Sequence, residues 1–233
     1  MQQRSTDEDD IMAAAQRRVT RKRIVDAALQ VAEREGWENL RLHQVAAACG
    51  AGLDDIRAHF AEKDDLIDAW FDRADAAMLR LHDRGDLDGR SPRERIRSLI
   101  LTWLDTLAPH HRVTREMISH KLEFGHVHVQ FPALLRISRT VQWIREAALL
   151  DAPLPRRALE ETAMTALFVK VFLCWLYDRP PEFTRTHRWL DRGLDVLETA
   201  GRLVPGGRFG GDAVPSGSGD SESPGSPQGH EPG

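Results

Sequence analysis

The sequence predicts an all-α protein. Apolar residues recur at spacings of three and four along most of its 233 residues, and no alternating pattern of strand length is present. Glycine and proline separate these apolar stripes at points where helices end. Five of the six tryptophans follow Leu66, which favours broad contacts between helices in the larger, later part of the chain.

Residues 20–66 predict three short amphipathic helices. The buried stripe of the first is Ile24, Ala27, Ala28, Val31 and Ala32, and Gly36 ends it. The stripe of the second is Leu42, Val45, Ala46 and Cys49, before a turn with glycine at positions 50 and 52. The third is expected over residues 53–60, with Ile56 and Phe60 facing inward. Two short helices joined by a glycine turn are typical of a helix-turn-helix, whose second helix enters the DNA major groove.

The remaining chain stays helical in pattern. A fourth helix is expected from residue 64 to about 82. The fifth helix is expected to begin with Ser91 as its N-cap and Pro92 as its first residue, and to end before Pro109. Further helices are expected at about 111–124, 131–150, 155–177 and 183–203. The domain organisation predicted from this pattern is a disordered acidic leader (1–16), a DNA-binding domain (17–65), a ligand-binding and dimerisation domain (66–203) and a disordered Pro/Gly/Ser-rich tail (204–233).

Composition narrows the class of protein. A formal net charge of −4 argues against a polycationic nucleic-acid coat, and no hydrophobic leader resembles a signal peptide. Cys49 and Cys174 both lie in apolar helical stripes, which favours buried thiols, no disulfide and the reducing cytoplasm. An enzyme is not expected, and no catalytic residue is assigned, because the sequence has no glycine-rich phosphate loop, no GxSxG turn and no strands to carry a nucleophile.

Residues 20–66 resemble the DNA-binding domain of the TetR family of bacterial regulators. The matching positions are the IVDAAL stripe, Gly36-Trp37, Val45-Ala46, Gly50, His59-Phe60, Lys63 and Leu66. The resemblance implies DNA contacts from the start of the first helix, from the second and third helices, and from the start of the fourth. The residues expected to make them are Arg18, Arg21, Lys22, Arg41, His43, Leu53, Asp54, Asp55, Arg57, His59 and Lys63.

The recognition helix departs from the family pattern at its entering end. The family usually places Ser or Thr there, followed by Gly, Lys or Arg, and a Tyr three residues before the Phe, whereas this chain has Gly52, Leu53, Asp54, Asp55 and Arg57. Three interpretations of the aspartates stay open: stabilisation of the helix N-terminus, hydrogen bonding to a cytosine amino group, or loss of DNA binding. Residues 17–63 carry nine Lys/Arg against seven Asp/Glu, so the segment is only weakly basic.

The last two helices predict a dimer interface. Residues 163–177 hold a single charge, Lys170, and are apolar around nearly the whole circumference, yet they are too few to span a bilayer. The resemblance implies the same, since family members generally dimerise through their last two long helices, here 163–177 and 183–203.

The resemblance also implies a cavity for a small, hydrophobic ligand of unknown identity within the later helices. Seven side chains are suitable lining: Trp103, Met117, Phe124, Trp143, Phe168, Phe172 and Trp175. Five histidines crowd the middle of the chain, but the spacing of His126 and His128 with Glu123 fits no strong metal signature, and Gly125 and Pro132 indicate a loop there. No metal and no cofactor are expected.

A second resemblance covers the C-terminal half. From Arg139 onward the chain is similar to the ubiquinone-biosynthesis accessory proteins, lipid-binding relatives with a TetR-like fold, most clearly at residues 189–192 (WLDR). The amphipathic C-terminal helix by which that family contacts membranes is replaced here by the Pro/Gly/Ser-rich tail. We therefore expect a cytoplasmic, homodimeric, ligand-responsive repressor of transcription, with the lipid-binding accessory protein as the alternative.

Overall fold

The computed structural model describes residues 19–122, 127–150 and 156–203. Within them the chain forms nine α-helices and no strand, which confirms the all-α prediction. The helices are α1 (Arg21–Glu35), α2 (Leu42–Cys49), α3 (Leu53–Arg57), α4 (Asp64–Asp83), α5 (Pro92–Leu107), α6 (His111–Leu122), α7 (Val127–Ala147), α8 (Arg156–Leu176) and α9 (Thr184–Leu203), with a 3-10 turn, Ala108–His110, before α6. The leader (1–16), the tail (204–233), Arg18 and Phe124 lie outside the described residues.

The first three helices form a small unit that we call the reading head (residues 19–60). Thr20 caps α1 by accepting a hydrogen bond from the backbone N–H of Arg23 at 3.2 Å. Gly36 and Gly50 end α1 and α2 with φ of 84° and 64°, a region that glycine enters at little cost. The predicted apolar stripes of α1 and α2 are buried except for Leu42, which is half-buried, and they belong to one apolar core with Trp37, Ile56 and Phe60.

The remaining helices, α4–α9, form a second unit that we call the body. Within the body, the other helices pack around the pair α4 and α5. Ser91 is the N-cap of α5, as predicted, and it also forms a capping box: Ser91 Oγ accepts from the Glu94 N–H at 3.3 Å while the Glu94 carboxylate accepts from the Ser91 N–H at 2.8 Å. α7 packs against α4, α5 and α8, and α8 packs against α9. At Gly193 on α9 a Cβ would lie 2.1 Å from Leu167 Cδ1, so glycine allows the close approach of α8 and α9.

Two local predictions differ from the structure. The third helix ends at Arg57, and the chain turns through 58–60 with the N–H groups of His59 and Phe60 both bonded to the Ile56 carbonyl. Ile56 and Phe60 are nevertheless both buried, as predicted. The loop expected around 125–132 is shorter than predicted, because α7 begins at Val127 and includes Pro132; a proline in the second turn removes one backbone hydrogen bond without ending this helix.

No helix in the described ranges combines the length and the apolarity that crossing a membrane would require.

Candidate nucleic-acid interface and ligand cavity

The outer face of α3 is available for contact with another molecule. Leu53 is 56% exposed and Asp54 and Arg57 are exposed as well, whereas Ile56 points into the reading head. Asp54 and Arg57 are three residues apart, so they lie on the same side of the helix. The outer surface of α3 therefore carries a cation, a carboxylate and an apolar side chain.

The two aspartates of α3 have different roles. The Asp55 carboxylate accepts a hydrogen bond from the backbone N–H of Gly52 at 2.9 Å, which satisfies one of the free donors at the start of the helix. Asp54 makes no such bond within the described part of the chain. The local interpretation of the acidic pair thus fits Asp55 directly, and Asp54 is the carboxylate that faces outward.

Arg21 and His59 hold the turn after α3 against the start of α1. Arg21 Nη1 donates to the His59 carbonyl at 3.0 Å, and its guanidinium lies 4.4 Å from the centre of the Phe60 ring. His59 Nε2 lies 3.3 Å from the Val19 carbonyl oxygen and is half-buried. These two side chains set where α3 sits relative to α1, and Lys22 beside them is exposed.

Lys63 and Arg41 also make contacts inside the protein. Lys63 Nζ donates to the Trp37 carbonyl at 2.6 Å and to the Glu38 carbonyl at 3.2 Å, and burial lowers the pKa of its ammonium group. Arg41 Nη1 donates to the Glu38 carbonyl at 3.1 Å. Both side chains hold the loop between α1 and α2, and His43 on α2 is exposed.

The reading head is bonded to α4 through Arg73. Arg73 Nη1 donates to the Asp26 carboxylate on α1 at 2.6 Å, and Nη2 donates to the Lys22 carbonyl at 3.3 Å. Sequence reasoning missed Arg73; the only signal was an arginine within an otherwise acidic stretch of α4.

A second set of contacts bonds the reading head to α6. Arg112 Nη2 donates to the Glu33 carbonyl at 2.6 Å and to the Glu33 carboxylate at 3.0 Å. Glu116 accepts from the backbone N–H of Trp37 at 2.8 Å. Arg73 and Arg112 thus place α4 and α6, respectively, in direct contact with α1.

A cavity of about 60 Å³ lies in the body, between α4, α5, α6, α7 and α8. Three of the predicted lining residues, Trp103, Phe168 and Phe172, are brought together there. The other lining residues are Ile67, Asp68, Phe71, Ile118, Lys121, Arg136, Ile137 and Thr140. Phe71 and Trp103 stack at 5.6 Å with their planes 4° apart, and Phe168 meets the Trp103 ring edge-on at 5.1 Å.

Three other predicted lining residues lie elsewhere. Met117 and Trp175 are buried in the core without lining this cavity. Trp143 is 47% exposed, because the inward stripe at this end of α7 is formed by Val141, Ile144 and Ala147. The structure therefore does not bring Trp143 to the cavity.

A polar cluster on one wall of the cavity was not predicted. Arg136 pairs with Asp72 at 2.7 Å and with Asp75 at 3.2 Å. Asp75 Oδ1 also accepts from Trp103 Nε1 at 2.7 Å and from Thr140 Oγ1 at 3.1 Å, and burial raises the pKa of its carboxyl group despite these bonds. The available signal was the spacing of Asp68, Asp72 and Asp75, which puts three carboxylates on one face of α4.

Two histidines at the start of α6 make contacts within the protein. His110 Nδ1 lies 3.1 Å from the Glu33 carboxylate, and His111 Nε2 lies 2.8 Å from the Trp175 carbonyl oxygen. Among the described residues no cluster of His, Cys, Asp and Glu is arranged to hold a metal ion.

The outer face of α8 and α9 exposes large apolar side chains. Tyr177 and Val196 are about two-thirds exposed, and Leu173 and Trp189 are more than one-third exposed. Lys170 Nζ lies 3.8 Å from the centre of the Trp189 ring, where the ammonium covers part of this surface.

A helix-turn-helix bonded to a helical body with an internal aromatic cavity is the architecture of a DNA-binding protein with a small-molecule site. Comparison with solved structures supports this class. The chain is 45% identical to a TetR transcriptional regulator from Nitrosomonas europaea, with 76% of this chain and 97% of that chain covered and a TM-score of 0.67. A TetR transcriptional regulator from Rhodococcus has the same fold, at 20% identity, 75% and 93% coverage and a TM-score of 0.56.

The chain therefore belongs to the TetR family of transcriptional regulators. Among curated proteins, the HTH-type transcriptional repressor DrrR1 of Streptomyces coeruleorubidus is 35% identical over 68 residues. That match covers 29% of this chain and spans only a quarter of the relative's own length. No family model matches the chain. The comparisons do not favour the ubiquinone-biosynthesis accessory proteins.

Proposed function

We propose that this protein is a homodimeric, cytoplasmic repressor that binds a double-stranded DNA operator and releases it when a small hydrophobic ligand enters the cavity. Residues 17–65 carry the DNA contacts, and residues 66–203 carry the ligand and dimer contacts. Membership of the TetR family and the similarity to a repressor over 68 residues support the regulatory role.

The proposed DNA surface consists of the exposed side chains of the reading head. Arg57, Asp54 and Leu53 on α3 face the base edges, where an arginine reads guanine and an aspartate accepts from the cytosine amino group. Lys22 and His43 contact the backbone from either side. Arg21, Asp55 and His59 act chiefly by fixing the position of α3, and Arg41 and Lys63 act by holding the loop between α1 and α2, because each is bonded to residues of the head.

The observation that carries this proposal is that two helices, α4 and α6, both line the cavity and bond to the reading head. α4 supplies Phe71 to the cavity wall and Arg73 to α1, and α6 supplies Ile118 to the wall and Arg112 to α1. A ligand that moves α4 or α6 moves the head bonded to it. Release then follows if the ligand prefers an arrangement in which the two heads no longer match the two half-sites.

The dimer is proposed to form across α8 and α9. Two copies of the exposed apolar face, related by a two-fold axis, bury one another in a four-helix interface. A palindromic operator requires two copies of α3 related by a two-fold axis, which such a dimer supplies.

Operator binding is tested with the purified full chain and fragments of the DNA upstream of its own gene. Fluorescence anisotropy across a salt series measures affinity, with a shuffled fragment as the control. At least one fragment should bind about a hundredfold or more above the shuffled DNA. Native mass spectrometry of the same sample tests the alternative: equal binding of all fragments together with a copurified isoprenoid lipid would overturn the repressor proposal.

A further inference from the structure

Asp54 and Arg57 are opposite charges on the outer face of α3 that have no partner in the described part of the chain. Both side chains are exposed, and neither makes a hydrogen bond or an ion pair with a described residue. Arg21 and Asp55 beside them are, by contrast, bonded to the backbone of the head. The spacing of three residues puts the Cβ atoms of Asp54 and Arg57 about 5–6 Å apart. α3 therefore presents a free acceptor and a free donor side by side.

The hydrogen-bonding chemistry of the Asp54 carboxylate limits what it can contact on DNA. A carboxylate only accepts hydrogen bonds, so it cannot bond to a phosphate oxygen. In the major groove the amino groups that can donate to it are cytosine N4 and adenine N6. Adenine also presents its N7 acceptor beside N6, and N7 repels a carboxylate, whereas cytosine presents no acceptor of its own there. Cytosine is the base that fits Asp54.

Arg57 fits the guanine that accompanies this cytosine. A guanidinium only donates, and guanine presents two acceptors, O6 and N7, in the major groove. In a C·G pair the guanine O6 lies next to the cytosine amino group, so a carboxylate that approaches the cytosine also approaches O6. Donation from Arg57 to O6 and N7 offsets that repulsion. Side chains whose Cβ atoms lie about 5–6 Å apart can serve one base pair or two adjoining pairs.

The charges of Asp54 and Arg57 favour a role in specificity over a role in affinity. Attraction between cations and phosphates supplies the part of DNA binding that does not depend on sequence. Together the two side chains carry no net charge, so they add little to that part. What they add is a pattern of one acceptor and one donor, which base edges can match and phosphates cannot.

We infer that Asp54 and Arg57 read the DNA jointly. Each operator half-site then holds a cytosine contacted by Asp54 and a guanine contacted by Arg57, in the same base pair or in adjoining pairs. The inference rests on the proposed role of α3 in operator binding and adds the bases that α3 recognises. Asp54 is a specificity-determining residue whose charge opposes DNA binding in general.

Selection from random-sequence duplexes by the purified full chain tests the bases. The enriched sequence should hold a cytosine and a guanine in the same or adjoining base pairs of each half-site. An enriched sequence without them overturns this inference and leaves operator binding standing. If no sequence is enriched over the starting duplexes, operator binding itself fails and the inference fails with it.

An Asp54→Asn variant assigns the cytosine to Asp54. Asparagine has the same shape but donates to N7 and accepts from N6 of adenine, so the preference for cytosine over adenine at that position should fall about fivefold or more. Binding to shuffled DNA should rise, because a repulsion from phosphates is removed. Glu62→Gln, which removes an exposed carboxylate from the turn after α3, is the matched control and should leave the base preference unchanged.

An Arg57→Gln variant tests the second base independently. Glutamine also pairs with adenine, so the preference at the guanine position should move toward adenine while the cytosine preference remains. A general loss of structure weakens all duplexes equally and leaves these ratios unchanged. Unchanged ratios in Asp54→Asn and Arg57→Gln, or the same change in Glu62→Gln, overturn the joint reading.

Discussion

Arg73 on α4 donates to Asp26 on α1 at 2.6 Å, and this pair joins a helix of the cavity wall to the helix that opens the reading head. Phe71, two residues earlier on α4, faces the cavity. The two side chains lie on different sides of one rigid helix. A displacement of α4 at Phe71 is therefore transmitted to Asp26 without any change in the fold of the head.

Replacing Arg73 by methionine should loosen the head and lower operator affinity by about twofold to tenfold. The pair itself is partly exposed and contributes about 0.2–1 kcal/mol, so the protein should remain folded. Anisotropy with an operator fragment measures the loss. Asp26→Asn should give a similar loss and the double variant no more than either single one; additive losses would show that the two residues act separately. Arg80→Met, an exposed arginine on the same helix, is the control.

Arg57→Ala should weaken operator binding by about 1–3 kcal/mol if this exposed arginine of α3 reads a base, as proposed. Shuffled DNA should lose much less, and the slope of affinity with salt should stay nearly constant. A slope reduced by about one, with equal losses on both DNAs, would instead assign Arg57 to a phosphate. Arg34→Ala, at the exposed end of α1, is the matched arginine control.

Asp55→Ala should destabilise the protein more than Asp54→Ala. Both changes remove a negative charge from the first turn of α3, worth about 0.3–1 kcal/mol, but only Asp55 also bonds the Gly52 N–H. The added loss should be about 0.5–1.5 kcal/mol in the free energy of unfolding, measured with urea. If the two variants have the same stability, the Asp55 bond contributes nothing and its role at the helix start must be discarded.

Val196→Glu should separate the proposed dimer into monomers. The side chain is 67% exposed in the single chain and lies on the α9 face proposed to meet a second copy, where a carboxylate would be buried without a partner. Sedimentation should show the mass of one chain, and operator affinity should fall by more than about tenfold since one head alone binds a half-site. Ala76→Glu, on an exposed position of α4, should leave the mass unchanged. A dimeric Val196→Glu protein would place the interface elsewhere.

Asp75 should give the stability of the body a pH dependence of defined sign. Burial raises the pKa of its carboxyl group above the ordinary value of 3.8, so the folded state holds this proton more tightly than the unfolded state. Its contribution to stability is therefore fully present below about pH 3.8 and is lost as the pH rises through the folded pKa.

The sign is measured by comparing wild type with Asp75→Asn in urea unfolding between about pH 3.5 and 7. The stability of wild type relative to the variant should decrease as the pH rises, by no more than about 1.4 kcal/mol per pH unit. Asp72→Asn, which removes the exposed partner of Arg136, controls for the general effect of losing a carboxylate. A relative stability that increases with pH would show that Arg136 and Trp103 lower this pKa instead.

The sequence by itself determined the helices of this protein and the class of its reading head. Helix formation and helix ends depend on interactions within a few residues of chain, so spacing and residue type suffice to predict them. Examples are the stripe from Ile24 to Ala32, the glycines at 36 and 50, and the Ser91-Pro92 start of α5. The aromatic composition also identified three residues of the cavity wall.

Only the tertiary structure decided which side chains meet. Lys63 looks like a phosphate ligand in sequence, but it donates to the carbonyl of Trp37, 26 residues away. Arg136 finds Asp75 across 61 residues, and Trp143 turns outward because its neighbours form the packed stripe of α7. Helical periodicity fixes the direction of a side chain relative to its own helix, whereas its partners depend on the arrangement of several helices, which no local pattern specifies.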